Sequence, residues 1–222
     1  MSSFVLKIIA VISMCFDHFG YWVFGPQITW CNFLGRLAFP IFAYQISEGY
    51  THTHDLKKYI WRLFLFAIIS QIPFNLFQYA IGFSLTLNVF FTLLLGLLSI
   101  CAFEKIPNKL MGIIVSGICI FLGHLLNVDY GYWGVLLVFA FYILRTNKVL
   151  LTLGFAAIIM LKYVPILIQS NFNFINMYLA IFTFLAIVPI LLYNGKQGLK
   201  TKYLLYIFYP LHLTILAVAT LL

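Results

Sequence analysis

The amino-acid sequence predicts an all-α integral membrane protein, a polytopic helical bundle of about nine transmembrane helices with its amino terminus inside and its carboxyl terminus outside. Three observations carry that prediction. First, 64% of the 222 residues are hydrophobic and only 8% are charged, against roughly 45 to 50% and 25% in soluble domains; the mean hydropathy is +1.06. Second, apolar runs approaching the roughly 20 residues that span a bilayer follow one another along the chain, and the ten-residue alternation of a barrel strand is missing. Lipid offers backbone polar groups no partner, so runs this continuous are satisfied as helices. Third, positive residues fall in every second gap between the runs.

The runs lie at about 4–24, 33–50, 58–79, 85–103, 110–127, 131–144, 149–168, 174–193 and 203–222. The first begins around Lys7 and has no small-residue cleavage site behind it, so it reads as a retained helix and not a removable signal peptide. The sixth is short and spans where the bilayer thins or where it lies at a slant. No internal repeat or long linker appears, which makes 1–222 a single domain.

The gaps test the count, because positive residues gather on the cytoplasmic side. Lys7 leads the first helix and GPQITWCN after it is uncharged. HTHDLKKYIWR then brings Lys57, Lys58 and Arg62, EKIPNK brings Lys105 and Lys109, RTNK brings Arg145 and Lys148, and NGKQGLKTK brings Lys196, Lys200 and Lys202. The intervening gaps carry no positive residue. The net charge of +8 therefore reads as topology, and no nucleic-acid partner is expected.

Two positive residues escape this rule. Lys162, late in the seventh helix, is near enough to the boundary to snorkel to the headgroups. Arg36 enters the second helix with aligned company: at about 100° per residue, Arg36, Pro40, Tyr44, Ser47 and Glu48 fall on one face. An arginine at that depth costs roughly 2.5 to 3.5 kcal/mol even on the lenient insertion scale, so a partner or a hydrated cavity is expected. The first helix offers the partner in SMCFDHFGYWVF. Counted from Phe4 at about 1.5 Å per residue, Asp17 and His18 lie about 20 Å in. Arg36 enters the neighbouring antiparallel helix from the same side, so Asp17 can pair with Arg36 while His18 stays free. The adjacent side chains diverge by about 100°, which keeps Asp17 from orienting His18 directly.

Further polar groups share this depth or the outer end: Asn88 in the fourth helix, His124, Asn127 and Asp129 at the end of the fifth, and Tyr209 and His212 three apart in the ninth. Caps explain Asn127 and Asp129 as well as function does, and a buried histidine such as His212 can be a simple interhelical bond. On the basic side, Glu48, His52, His54 and Asp55 accompany the lysines, but two histidines two apart with no third ligand do not make a metal site. Cys15, Cys31, Cys101 and Cys119 lack any paired spacing and read as packing residues.

Taken together, DHFG at 17–20, GRLAFPIFAYQISEGYTHT at 35–53, KKYIWRLFLFAIISQIPFN at 57–75, LNVFFTLLLGL at 87–97, DYGYWGVLLV at 129–138 and FYPLHL at 208–213 resemble the TraX family over nearly the whole chain. The matching positions are Asp17, His18, Gly35, Arg36, Pro40, Glu48, Gly49, His52, Arg62, Pro73, Asn88, Asp129, Gly131, Pro210 and His212. Around Pro73 the family pattern has acids, where this chain has Gln71 and Asn75.

The resemblance implies a membrane acetyltransferase of the bacterial cell membrane, of the kind that acetylates a pilin amino terminus. Its acyl donor is acetyl-CoA, no metal is involved, and the acceptor is a peptide or lipoprotein amine or a surface glycan on the outer side. On that reading the donor's phosphates sit near Lys57, Lys58 and Arg62, and its path runs by His52, Glu48 and Tyr44. His18 is then the general base, with Arg36 or Asn88 for the oxyanion, Asp17 holding Arg36, and His212 in reserve. From the buried charges alone, a proton-coupled transporter of a small solute fits as well.

Overall fold

The computed structural model describes residues 1–199 and 203–221; Lys200 and Lys202 of the last basic gap lie outside the described residues. Every apolar run is helical. In chain order the helices are α1 (Ser3–Phe24), α2 (Trp30–Gly35), α3 (Ala38–His52), α4 (Leu56–Ala80), α5 (Val89–Lys105), α6 (Lys109–Leu125), α7 (Gly131–Leu144), α8 (Lys148–Gln169), α9 (Phe174–Leu185), α10 (Ile187–Leu191) and α11 (Leu204–Leu221). Among the described residues the only β-type pairing is one isolated bridge, Leu87 with Val128.

Among the described residues the nine runs become eleven helices because two of them break. A proline ring collides with the carbonyl four residues earlier and supplies no N–H. Pro40 thus bears on Arg36, at the junction of α2 and α3, and Pro189 bears on Leu185, the last residue of α9. Most starts are capped by a short polar side chain, as orphan N–H groups require. Asp55 takes Lys58 N at 2.9 Å, Asn88 takes Phe90 N at 3.0 Å and Asn173 takes Ile175 N at 2.8 Å. Asp55 is exposed, and the Lys58 backbone N–H holds its carboxyl below the usual carboxylate range.

Helix α5 is innermost, buried over most of Phe90–Ala102, with α3, α4, α6 and α7 around it. Helix α11 lies along α4 and touches α1, α1 packs on α2 and α3, α8 packs on α7, and α9 packs on α8 and α2. The outer surface is strongly apolar: Ile68, Ile72, Val149, Leu153, Leu161 and Ile215 are each half or more exposed. Water tolerates no such belt on a lone soluble chain; hydrocarbon does. Among the described residues four stretches are long and apolar enough to cross a membrane, namely α1, α4, α8 and the α9–α10 pair Phe174–Leu191.

The basic gaps collect at one end. The Met1 carbonyl accepts from Asn194 N, Ser3 N donates to the Lys196 carbonyl, and Lys148 Nζ reaches the Leu191 carbonyl at 3.0 Å. At the opposite end Leu87 exchanges backbone bonds with Asn127 and Asp129, and Tyr21 meets Phe83 edge-on at 5.1 Å.

Candidate functional site between α1, α2 and α11

Asp17 and His18 sit in the middle of α1 and, being one residue apart, serve different neighbours. Asp17 turns to α2. Arg36 Nη2 donates to its Oδ1 at 3.2 Å and to the Tyr21 hydroxyl at 2.8 Å, so the pairing that the helix spacing predicts is present. Asn32 Nδ2 adds bonds to the Asp17 carbonyl and carboxylate at 3.2 and 3.4 Å, and its own Oδ1 accepts from Thr29 N at the start of α2. Sequence reading passed over Asn32 and Tyr21. Their signal was there: Asn32 precedes Arg36 by four residues and Tyr21 follows Asp17 by four, one helical turn each. The close approach needs Gly35, where an added Cβ would stand 2.5 Å from Asp17 Oδ1.

His18 turns the other way, to α11, and the expectation that it stays free is corrected: its Nδ1 lies 2.6 Å from His212 Nε2. The two imidazoles lie nearly parallel and edge to edge, their centroids 4.9 Å apart at 17°, with Phe77 edge-on to His18 at 5.5 Å and Phe208 stacked on His212 at 5.0 Å. The proton positions follow from the partners. His212 Nδ1 is 2.9 Å from the Phe208 carbonyl, which can only accept, so Nδ1 carries the hydrogen. In the neutral ring Nε2 is then the acceptor, and His18 Nδ1 must donate to it. That leaves His18 Nε2 with an unshared pair, the arrangement of a base oriented from behind.

Asn88 has no donor to offer an oxyanion. Its Nδ2 donates to the Ala67 carbonyl at 2.7 Å and to Gln71 Oε1 at 2.8 Å, and its Oδ1 caps α5. Gln71 continues to Asn75 and to the Thr86 carbonyl, so the two positions that depart from the family's acids form a neutral network tying α4 to α5. Tyr44 and Ser47 are buried, with Tyr44 edge-on to Phe141 and Tyr193. The polar stripe of α3 is thus a packed seam.

The residues expected to hold the donor's phosphates do not converge. Lys57 and Lys58 project from the first turn of α4, Lys58 paired with Asp55 at 3.0 Å. Arg62 lies against the Tyr59 ring and Tyr206, and His52 folds back on the Glu48 carbonyl at 2.9 Å.

Lys162 does not snorkel. Its Nζ lies over the rings of Tyr163 and Tyr130, at 5.2 and 5.7 Å, and it shares with Arg36 a narrow cleft walled by Trp133, of about 30 Å³. Tyr130 itself holds a φ of 64° ahead of Gly131 at 55°, a strained conformation for a bulky residue, with its ring stacked on Phe39 at 3.8 Å. Asp129, one residue earlier, gives its backbone N–H to the Leu87 carbonyl and its carbonyl to Thr92. His124 and Asn127 are exposed at the end of α6. All four cysteines are unpaired, and among the described residues no three His, Cys, Asp or Glu side chains gather as metal ligands.

Helices with an apolar exterior, an ion pair joining α1 to α2 and a histidine pair joining α1 to α11 define a membrane-type helical bundle with a polar interior. The chain belongs to the TraX family, whose model, described as TraX protein, matches residues 2–220. It is 30% identical over 98% of its length, and 95% of the relative's, to the probable fimbrial assembly protein FimC, serogroup H1, of Dichelobacter nodosus. It is 29% identical to an uncharacterized protein of Rickettsia prowazekii (strain Madrid E), covering 90% of this chain and 83% of that one. No solved structure matches it.

Proposed function

We propose that the chain is a multi-pass acyltransferase of the cell membrane. It moves an acetyl group from acetyl-CoA in the cytosol to an amine, or a hydroxyl, presented at the outer side on a pilin or lipoprotein amino terminus or a surface glycan. The observation that carries the reading is the hydrogen-bonded histidine pair at 2.6 Å, in a chain whose family is associated with pilin acetylation. The gathering of the basic loops at one end supports placing that end in the cytosol.

His18 Nε2 acts as the base. As the acceptor's nitrogen or oxygen adds to the thioester carbonyl carbon, its proton passes to Nε2; the carbon–sulfur bond then breaks and the proton returns to the departing thiolate. While Nε2 holds the proton, the imidazolium's other N–H rests on His212, itself anchored on the Phe208 carbonyl. Asp17 and Arg36, on the opposite flank of α1, are positioning residues that fix where His18 points. A positioned base contributes about 10² to 10⁴ in rate.

The test is transfer of radiolabelled acetyl from acetyl-CoA by purified protein, with membrane extracts scored by mass spectrometry for a product heavier by one acetyl group. His18→Ala should remove transfer while leaving the melting temperature near wild type. His212→Asn should leave a residual rate whose pH profile is displaced from wild type, because protonation of His18 switches the base off and His212 tunes it. Full activity in His18→Ala, or no transfer by wild type at all, overturns the proposal; the latter is the behaviour of a proton-coupled transporter.

A further inference from the structure

The basic end of the bundle holds a feature that the site above does not use. Between the end of α3, the start of α4 and the ends of α5 and α7 opens a cup of about 440 Å³, within the range of small-ligand sites. Three separate stretches of chain bring polar groups to it: Thr53 and His54 from the loop after α3, Lys105 from the last turn of α5, and Arg145 at the end of α7. We propose that this cup binds the phosphates of a nucleotide, and, resting on the acyltransferase reading, that it is where the acyl donor's nucleotide end sits.

Orientation in the membrane explains why positive residues lie at this end, but it requires no cavity and no fixed side chain. Arg145 is fixed. Its guanidinium stacks on the Tyr142 ring at 3.9 Å and gives one N–H to the Tyr142 carbonyl, leaving the rest of a five-donor fork, the geometry that suits phosphate. Tyr50 braces Tyr142 edge-on at 5.2 Å. The acid beside Tyr142, Glu104, does not line the cup.

Among the groups that line the cup, three helix carboxyl ends contribute about −0.5 charge each and the start of α4 about +0.5, against the two full positive charges of Lys105 and Arg145; Glu104 beside Tyr142 offsets the surplus, so the fixed Arg145 fork, and not net charge, is what suits a phosphate. By contrast Lys57 and Lys58 stand outside the cup on exposed positions of α4.

The test uses the full chain in a neutral detergent and measures binding of coenzyme A, of pantetheine, which lacks the nucleotide, and of ATP. Coenzyme A is expected to bind at least tenfold more tightly than pantetheine. Arg145→Gln and, separately, the exposed Lys105→Gln should each weaken coenzyme A about tenfold with melting temperatures held, and the double variant Lys57→Gln/Lys58→Gln should bind as wild type. Coenzyme A binding that survives both single variants, or that is lost in the double one, overturns the cup and leaves the donor reading standing. ATP binding that depends on Arg145, with no coenzyme A binding, upholds the cup and overturns the donor reading. Stabilisation by phosphatidylglycerol alone that depends on Arg145 marks a lipid headgroup site and overturns the nucleotide assignment.

Discussion

Replacing Gly35 by alanine tests how α1 and α2 are joined. The new Cβ would stand 2.5 Å from Asp17 Oδ1 and 2.7 Å from Cγ, where ordinary contact begins at 3.4 Å, and these atoms belong to a short side chain already held by Arg36 and Asn32. Relief requires about 0.9 Å of retreat at Oδ1, which stretches the 3.2 Å contact to Arg36 to about 4 Å, past hydrogen-bonding range. Overpacking costs about 1 to 3 kcal/mol and a weakened bond to a charged group about 1.5 to 3 kcal/mol. A combined loss of about 3 kcal/mol lowers the melting temperature of a chain this size by about 6 to 12 °C. The assay is a thermal ramp with a thiol-reactive fluorophore, because Cys31 on α2 is 1% exposed and becomes reactive as α1 and α2 part. Gly117→Ala is the control: on α6 an added Cβ meets nothing within 4 Å, so helix propensity alone predicts an unchanged or slightly higher midpoint. If Gly35→Ala melts within about 1 °C of wild type with Cys31 still protected, the tight Asp17–Gly35 approach is not what joins the two helices.

Two other substitutions separate structural from chemical roles. Asp17→Asn and Arg36→Gln should each destabilise by about 3 to 5 kcal/mol by leaving one buried charge alone, while the double variant loses less than the two together; additive losses in a denaturation cycle would mean the ions do not pair. Asn88→Ala removes a helix cap worth about 0.5 to 2 kcal/mol and frees Gln71, so it should lower the melting temperature while folded protein transfers acetyl at the wild-type rate per molecule; a large rate loss with unchanged melting would restore the oxyanion role.

The helical class, the positions of the apolar runs and the separation of basic from neutral gaps were legible because each depends on local composition. What was not legible depends on contacts distant in sequence. Five prolines lie inside apolar runs, yet only Pro40 and Pro189 coincide with breaks; α4, α8 and α11 carry Pro73, Pro165 and Pro210 without interruption. The proline collision is the same in all five, so the surrounding packing decides which helix yields. The start of α5 was expected at 85 and falls at Val89, because Leu87 pairs its backbone with Asn127 and Asp129, some forty residues away. The Asp17–Arg36 pair was readable from two helices adjacent in sequence. The His18–His212 bond was not, since nothing in either helix alone shows that α11 returns to lie beside α1.

The adjacency of Asp17 and His18 has a mechanical consequence. Side chains one residue apart on a helix diverge by about 100°, so a helix held through both is clamped against turning on its own axis. With side-chain tips about 5 to 6 Å from that axis, a turn of about 20° moves each tip about 2 Å, enough to take the 2.6 Å His18–His212 contact beyond hydrogen-bonding range. The histidine bond alone resists such a turn weakly, because α11 touches α1 over a short stretch while α2 and α3 pack along it. Asp17 supplies the resistance: its bonds to Arg36 and Asn32 fix the rotation of α1 against its most extensive neighbour. The acid thereby governs the direction of a histidine it never touches.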